Sequence, residues 1–206
     1  MLVYASVTIY VGSRTVDNVS GNVKCFSHEK YGIPAVNYTI AVHIAYSCFV
    51  ELNFNNHIGV PKTLLRLTEE HEIAVIETGA NHPGEIADLS KIVDADCGLI
   101  TNVGKAHLEG FGSLEGVVLT KCELYQYLSS KPEGFIFLNA DNTLLAPQAK
   151  GLRAITYGKP EQGYDVEGEV ISCDPQLRLR LRIANGEWHE VQTQLVGAYN
   201  LDNMLA

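Results

Sequence analysis

The chain has 206 residues, of which 46% are hydrophobic and 19% are charged, a composition typical of a folded globular protein. This composition excludes a disordered, collagen-like or coiled-coil chain. Acidic residues outnumber Lys and Arg by 24 to 15, and the net charge of −9 disfavours nonspecific binding to nucleic acid or to an anionic membrane. We therefore expect no nucleic-acid partner.

Cysteine usage and hydropathy indicate the compartment. The five cysteines are odd in number and none belongs to a Cys-x-x-Cys pair, so neither a disulfide framework nor a zinc site is favoured. The segment 31–50 has no formal charge, but it includes proline, asparagine and histidine, so a buried segment is favoured over a membrane span. We expect a cytoplasmic protein with no stable membrane insertion.

The charge balance changes near residue 50. Residues 1–50 contain three basic and two acidic residues, a net charge of +1, which leaves 12 basic and 22 acidic residues, a net charge of −10, for 51–206. The first segment shows no clear alternation of helix and strand signals, whereas the second does. We therefore leave 1–50 unassigned and treat 51–206 as the domain that can be interpreted.

Helix and strand patterns alternate from residue 60 onward. The periodicity predicts helices over 60–70, 83–93 and 114–128, and strands over 73–76, 97–101, 135–138 and 152–157. Apolar strands separated by amphipathic helices are typical of an α/β fold with a mostly parallel, doubly wound sheet.

The pattern changes after Asp165. The run LRLRLRI (177–183) alternates strictly, Asn185-Gly186 is a strong hairpin turn, and WHEVQTQLV (188–196) can pair back on the first run. These residues predict an antiparallel β appendage near the C-terminus. Residues 197–206 then have the pattern of the start of a helix.

Three of the predicted strands are followed by a polar residue, namely Glu77, Asn102 and Asn139. Because doubly wound sheets bind ligands at the carboxyl ends of their strands, this convergence predicts a site at that edge. Each residue taken alone also fits a simple cap of the following turn.

Lys121 lies within the apolar stripe of the helix predicted over 114–128. Burial on that face lowers the pKa of an amine, and a neutral amine can act as a nucleophile or capture carbon dioxide as a carbamate, which is an anionic metal ligand. The alternative is a lysine whose stem covers apolar surface while its ammonium group stays in water.

His107 lies in a glycine-rich loop, where its imidazole can reach a metal or a phosphate or can simply be solvated. Together, Glu77, His107 and a carbamoylated Lys121 would supply oxygen and nitrogen donors suited to Mg²⁺ or Mn²⁺ carrying a polyphosphate. The Gly-x-x-x-x-Gly-Lys-Ser/Thr phosphate loop is not present; the nearest segment, 98–106, has one spacer residue too many and ends in Ala106.

Four stretches of the sequence resemble the Mur ligases, the ATP-dependent amide ligases of peptidoglycan synthesis. They are NFNNHIGVPKTLLRL (53–67), ETGANHPGEI (77–86), TNVGKAHLEGFGSLEGV (101–117) and GAYNLDN (197–203). The second and third are most similar to the members that add D-alanyl-D-alanine to a UDP-N-acetylmuramoyl tripeptide. The resemblance covers 51–206, an incomplete version of the family's central ATPase domain.

The resemblance implies roles for three groups of residues. The catalytic and metal-binding group is Glu77, His107 and Lys121, the last of them carbamoylated. The nucleotide-binding group is Asn139, Asp141, Asn200 and Asn203. The substrate-binding group is Asn55, Asn56 and His57, and Tyr199 replaces the histidine more usual in the adenine motif.

The resemblance also implies the reaction and its cofactors, ATP and Mg²⁺ or Mn²⁺. ATP would phosphorylate the terminal carboxylate of the UDP-N-acetylmuramoyl tripeptide, and the amine of D-alanyl-D-alanine would then attack the acyl phosphate. The family's phosphate loop and C-terminal domain are not recognisable in this sequence, so we expect little or no ligase activity from the chain alone.

Three alternatives remain open from the sequence. The chain can be a non-catalytic remnant that binds metal or nucleotide, or one half of a split ligase that needs a complementing chain. A third interpretation, from the residues alone, is a metal-dependent hydrolase in which Glu77 and His107 activate water.

Overall fold

The computed structural model describes residues 6–11, 47–49, 55–68, 71, 73–104 and 111–206, with 6–11, 47–49 and 73 described by their backbone alone. The strands are β1 (Ser6–Val11), β2 (Ser47–Phe49), β3 (Ile73–Thr78), β4 (Cys97–Ile100), β5 (Phe135–Asn139), β6 (Ala154–Gly158), β7 (Val166–Cys173), β8 (Gln176–Ile183) and β9 (His189–Val196). The α-helices are α1 (Gly59–Leu64), α2 (Glu85–Val93), α3 (Leu114–Lys121), α4 (Glu123–Ser129) and α5 (Leu201–Leu205).

The nine strands form one sheet in the order β2-β3-β1-β4-β5-β6-β7-β8-β9. Strands β2 and β3 pair in parallel, as do β4 to β7 in succession, and β1 lies between β3 and β4, antiparallel to both. Strands β2 to β7 therefore all run in one direction. Strands β8 and β9 extend the sheet as an antiparallel hairpin. The expected α/β class, with a mostly parallel sheet and an antiparallel C-terminal appendage, is confirmed.

Two apolar clusters cover opposite faces of the sheet. The larger one packs Ile100 and Ile136 against buried residues of α1 to α4. The smaller one contains Leu99, Tyr157 and Leu205, the last of which belongs to α5. Because neighbouring residues of a strand point to opposite faces, Leu99 and Ile100 enter different clusters. Helices therefore lie on both faces, as a doubly wound sheet requires.

Two predicted helices differ in extent from those observed. The helix expected over 114–128 is divided at Cys122, whose ψ of −3° places it at the end of α3 and at the start of α4. The helix expected over 60–70 ends at Leu64, because the N–H groups of Arg66 and Leu67 donate to carbonyls only three residues back, which tightens the last turn.

Within the described parts of the chain, no helix has the length and apolar character needed to cross a membrane. The uncharged segment 31–50 lies outside the described residues, except for the backbone of β2.

Candidate functional site at the carboxyl edge of the sheet

The strand register aligns the carboxyl ends of the central strands. Ser6 of β1 pairs with both Thr78 of β3 and Ile100 of β4, so these two strand ends lie level and about 10 Å apart, two strand spacings. Leu99 pairs with Phe137 in β5. Glu77, Asn102 and Asn139 therefore follow one edge of the sheet, the edge at which the sequence predicts a site.

Glu77 and Asn55 are in direct contact. The half-buried Glu77 carboxylate accepts a hydrogen bond through Oε1 from Nδ2 of Asn55 at 2.9 Å, and the Asn55 carbonyl accepts from the Gly79 N–H at 2.7 Å. A Cβ at Gly79 would lie 2.8 Å from Nδ2 of Asn55, so glycine is needed for this approach. The second carboxylate oxygen, Oε2, has no hydrogen-bond partner among the described residues.

Lys121 is half-buried at the end of α3, and its Nζ donates to the carbonyl of Asn102 at 2.6 Å. The start of α3 is fixed by Ser113, whose Oγ accepts from the Gly116 N–H at 3.0 Å. Desolvation by burial lowers the pKa of Lys121 to about 8, the direction expected from its place in the apolar stripe. A substantial fraction of this amine is therefore neutral in mildly alkaline solution.

The described residues supply only part of the proposed site for a hard cation. Mg²⁺ prefers oxygen donors, which the free oxygen of Glu77 and a carbamate on Lys121 would provide, whereas a protonated lysine cannot bind a cation. Among the described side chains, no group of three or more His, Cys, Asp or Glu is placed to hold a metal ion. His107 lies outside the described residues, so its role as a ligand stays a prediction.

All four predicted nucleotide-binding residues lie around the carboxyl end of β5. Asn139 is buried at the end of β5, and its side chain lies beside the carboxylate of Asp202 in α5. In the same segment, Nδ2 of Asn203 donates to Oδ1 of Asn200 at 3.1 Å. The contact with Asp202 therefore places the Asn200 and Asn203 pair beside the carboxyl end of β5.

The Asp141 N–H donates to Oδ1 of Asn139 at 3.1 Å, and the carboxylate of Asp141 makes contacts of its own. Its Oδ2 accepts from the Lys159 N–H at 2.7 Å, and its Oδ1 accepts from the hydroxyl of Tyr164 at 3.3 Å. Gly158 allows this approach, because a Cβ there would lie 2.6 Å from Oδ2 of Asp141. The carboxylate therefore anchors the loop that follows β6, and its contact with a nucleotide stays a prediction.

Asn56 and His57 precede α1. Oδ1 of Asn56 accepts from the N–H groups of Ile58 at 3.0 Å and Gly59 at 2.9 Å, which satisfies donors at the start of that helix. His57 is exposed. The structure thus gives Asn56 a capping role, and the substrate-binding roles of both residues stay predictions.

Sequence reasoning missed two acidic residues near the site. Asp202 lies beside Asn139, and burial raises the pKa of its carboxyl group. Glu123 accepts hydrogen bonds from the first turn of α2. Gly84 at the start of α2 was the sequence signal that could have pointed to such a residue. A glycine N-cap has no side chain to accept from the free N–H groups of the first turn, so another residue must supply the acceptor.

The family profile described as Mur ligase middle domain matches residues 25–206. The chain belongs to the Mur ligase family. The match begins inside the segment 1–50, which the sequence left unassigned, and the division of the chain near residue 50 stays a prediction.

Two relatives of this Mur ligase chain share one name, UDP-N-acetylmuramoyl-tripeptide--D-alanyl-D-alanine ligase. The protein of that name from Haemophilus influenzae (strain ATCC 51907 / DSM 11121 / KW20 / Rd) is 42% identical over 160 residues, which are 77% of this chain and 34% of the relative. The protein from Escherichia coli (strain K12) is 54% identical over 117 residues, which are 56% of this chain and 25% of the relative.

Solved structures show the same similarity. A crystal structure of MurF from Acinetobacter baumannii matches with a TM-score of 0.70 and 32% identity, covering 80% of this chain and 36% of that one. MurF ligase from Thermotoga maritima in complex with ADP matches with a TM-score of 0.66 and 26% identity, covering 78% and 37%. The Mur ligase chain thus spans about a third of the length of these proteins.

Proposed function

We propose that this chain is the central ATPase part of a cytoplasmic ligase that joins D-alanyl-D-alanine to a UDP-N-acetylmuramoyl tripeptide. The observation that carries the proposal is the half-buried Lys121, whose amine has a lowered pKa and contacts Asn102 at the sheet edge that also bears Glu77. The substrates in the proposal are those in the names of the similar ligases from Haemophilus influenzae and Escherichia coli.

The proposal assigns roles to residues at this edge and to His107, which lies outside the described residues. Glu77, His107 and a carbamoylated Lys121 hold the cation, and Asn139, Asp141, Asn200 and Asn203 bind ATP. Asn55, Asn56 and His57 lie toward the substrate. When bound, Mg²⁺ or Mn²⁺ neutralises charge on the phosphoryl group during its transfer.

The proposed reaction has two steps, phosphoryl transfer and amide formation. A carboxylate oxygen of the tripeptide attacks the γ-phosphorus of ATP, the bond to the β-phosphate oxygen breaks, and ADP and an acyl phosphate form. The amine of D-alanyl-D-alanine then attacks the acyl carbon, inorganic phosphate leaves, and the amine loses a proton to solvent. The chain's own residues orient the carboxylate and the nucleotide for the first step.

Calorimetric titration with Mg²⁺ and ADP tests the nucleotide site in the full chain. We expect Asn203→Ala to weaken ADP binding about tenfold, because an adenine-facing hydrogen bond is lost. Gln126→Ala removes a similar amide from the exposed side of α4 and should change the affinity less than about twofold. Equal affinities for the two variants would remove Asn203 from the site.

Mass spectrometry under mild conditions tests the carbamate. We expect Lys121, and no exposed lysine, to carry the added mass of carbon dioxide in the folded chain. An unmodified Lys121 in a folded, metal-loaded sample would count against the site and favour the non-catalytic remnant.

An activity assay separates the ligase from the hydrolase. Phosphate release from ATP that requires both the UDP-N-acetylmuramoyl tripeptide and D-alanyl-D-alanine, in this chain or with a complementing chain, supports the ligase. Hydrolysis of esters with metal alone would support the hydrolase instead.

A further inference from the structure

Helix α2 receives its N-terminal cap from a distant helix. Its N-cap residue, Gly84, has a φ of +91° and no side chain to accept the free N–H groups of the first turn. Glu123, at the start of α4, supplies the acceptors. Its Oε1 accepts from the Gly84 N–H at 2.6 Å and its Oε2 accepts from the Ala87 N–H at 3.0 Å.

The segment held by Glu123 follows the candidate metal ligand Glu77 in the chain. Strand β3 ends just after Glu77, and residues 79–84 connect it to α2. Glu123 itself is two residues beyond Lys121, on the helix that directly follows α3. The Glu123 carboxylate therefore connects the segment that follows Glu77 with helices α3 and α4, the first of which carries Lys121.

The connection continues to the Glu77 carboxylate. At the near end of the segment, the Gly79 N–H donates to the carbonyl of Asn55, and Nδ2 of Asn55 donates to Glu77. A shift of Gly79 would therefore act on the backbone of Asn55 and, through the Asn55 side chain, on the Glu77 carboxylate.

Glu85, the first residue of α2, makes only local bonds among the described residues. Oε2 of Glu85 accepts from the N–H groups of Asn81 at 2.6 Å and His82 at 3.1 Å, which shapes the loop without tying it to another element. The Glu123 bonds span 36 and 39 residues and are reinforced by the positive end of the α2 dipole. They fix where the loop lies, whereas Glu85 fixes its shape.

We propose that Glu123 is a positioning residue, which holds residues 79–84 and thereby orients Asn55 and the Glu77 carboxylate relative to Lys121. The proposal rests on the proposed function for its consequence at the cation. Glu123 acts through these residues, because both of its carboxylate oxygens bond backbone N–H groups at the start of α2.

Hydrogen exchange on the metal-free full chain tests the positioning directly. Glu123→Gln keeps the size of the side chain but turns an NH₂ group toward one of the two N–H donors, so at least one bond is lost. We expect amides 79–87 to exchange at least about fivefold faster, with 97–104 unchanged. Glu115→Gln, which removes the same charge from an exposed position in α3, should leave 79–87 unchanged. Equal protection of 79–87 in Glu123→Gln and wild type would overturn the proposal.

Titration with Mn²⁺, followed by its electron paramagnetic resonance, tests the consequence at a temperature at which all variants are folded. We expect Glu123→Gln to raise the Mn²⁺ dissociation constant about tenfold and Glu115→Gln to change it less than twofold. Glu123→Asp, which keeps the charge but shortens the reach, should give an intermediate value, and it replaces Glu123→Gln if that variant does not fold. An unchanged Mn²⁺ affinity in both Glu123 variants would overturn the proposal.

The variant Glu77→Gln separates the two proposals. We expect it to abolish Mn²⁺ binding, so that the resonance of free Mn²⁺ keeps its full intensity throughout the titration. If it binds Mn²⁺ as wild type does, the metal site of the proposed function fails, and the exchange measurement still decides whether Glu123 holds the loop.

Discussion

Lys121 and Asn102 join the end of α3 to the loop after β4, because Nζ of Lys121 donates to the Asn102 carbonyl at 2.6 Å. Burial of this amine lowers the pKa of Lys121 from 10.5 to about 8. The contact therefore holds a lysine with a lowered pKa at the carboxyl edge of the sheet.

The first prediction concerns the pH dependence of carbamate formation. Only the neutral amine reacts with carbon dioxide, so we expect the ¹³C resonance of a Lys121 carbamate to grow as the pH rises through about 8 in ¹³C-bicarbonate. Lys121→Arg should abolish the resonance, and Lys150→Arg, at an exposed position, should preserve it. A resonance that survives Lys121→Arg would contradict the assignment.

The second prediction concerns the ion pair between Glu167 and Arg182. The Glu167 side chain is 1% exposed, and Oε2 accepts from Nε of Arg182 at 2.8 Å and from Nη2 at 2.6 Å. Removing Arg182 leaves a buried charge with backbone donors only, so Arg182→Met should reduce the free energy of unfolding by about 2–3 kcal/mol in urea denaturation. Arg178→Met, which breaks an exposed pair with Glu190, should cost less than about 1 kcal/mol. Equal losses would show that burial does not determine the value of the pair.

The third prediction concerns acid unfolding. Burial of Glu167 favours its neutral form, but hydrogen bonds from Arg182 and from the N–H groups of Gly163 and Glu161 outweigh it and lower the pKa to about 2. Because folding lowers this pKa from 4.5, the contribution to stability is complete above pH 4.5 and is lost as the pH falls to about 2. Glu167→Gln should remove this part of the pH dependence of unfolding. The same slope in both proteins would contradict this attribution.

Local periodicity accounts for the elements that the sequence predicted correctly. Strands β3 to β6 are apolar runs, with α-helices between β3 and β4 and between β4 and β5, and the β8–β9 hairpin has strict alternation and the Asn185-Gly186 turn. Strand β1 also alternates, with Val7, Ile9 and Val11 in SVTIYV, but no neighbouring helix pattern marked it. Its antiparallel place between β3 and β4 is a long-range pairing that no local pattern specifies.

In the candidate site, too, local sequence patterns predicted some features, whereas long-range contacts could not be predicted. Lys121 was identified because a charged residue interrupts an apolar stripe, which is a local signal. The contact of Asn55 with Glu77 depends on the close approach of Gly79 to Asn55. The hydrogen bonds of Glu123 reach N–H groups that are 39 and 36 positions away in the sequence. Such contacts follow from the packed arrangement of elements, which sequence periodicity does not determine.

The fourth prediction concerns the close packing of β4 on α4. A Cβ at Gly98 would lie 2.7 Å from Cδ2 of Leu124, a fully buried residue. Gly98→Ala should therefore cost about 1–3 kcal/mol of unfolding free energy through overpacking. In a Leu124→Ala background the same change should cost less, because the clash is removed, and a double-mutant cycle in urea measures the difference. Additive effects would show that the clash is relieved by other shifts.

The fifth prediction separates stability from the chemistry of the site. Nζ of Lys131 donates to the carbonyls of Asp94 at 3.0 Å and Ala95 at 2.9 Å, at the end of α2 and just before β4. This contact lies at the amino end of β4, opposite the edge that carries Glu77 and Asn139. Lys131→Met should reduce the free energy of unfolding by about 1 kcal/mol, because helix-end carbonyls lose their donor and the accompanying ion pairs are partly exposed. Binding of Mn²⁺ and ADP by the folded variant should equal that of wild type, since no site residue moves. Weaker binding by this variant would mean that loss of stability alone lowers affinity, and the effects of Glu123→Gln would then have to exceed it to count as positioning.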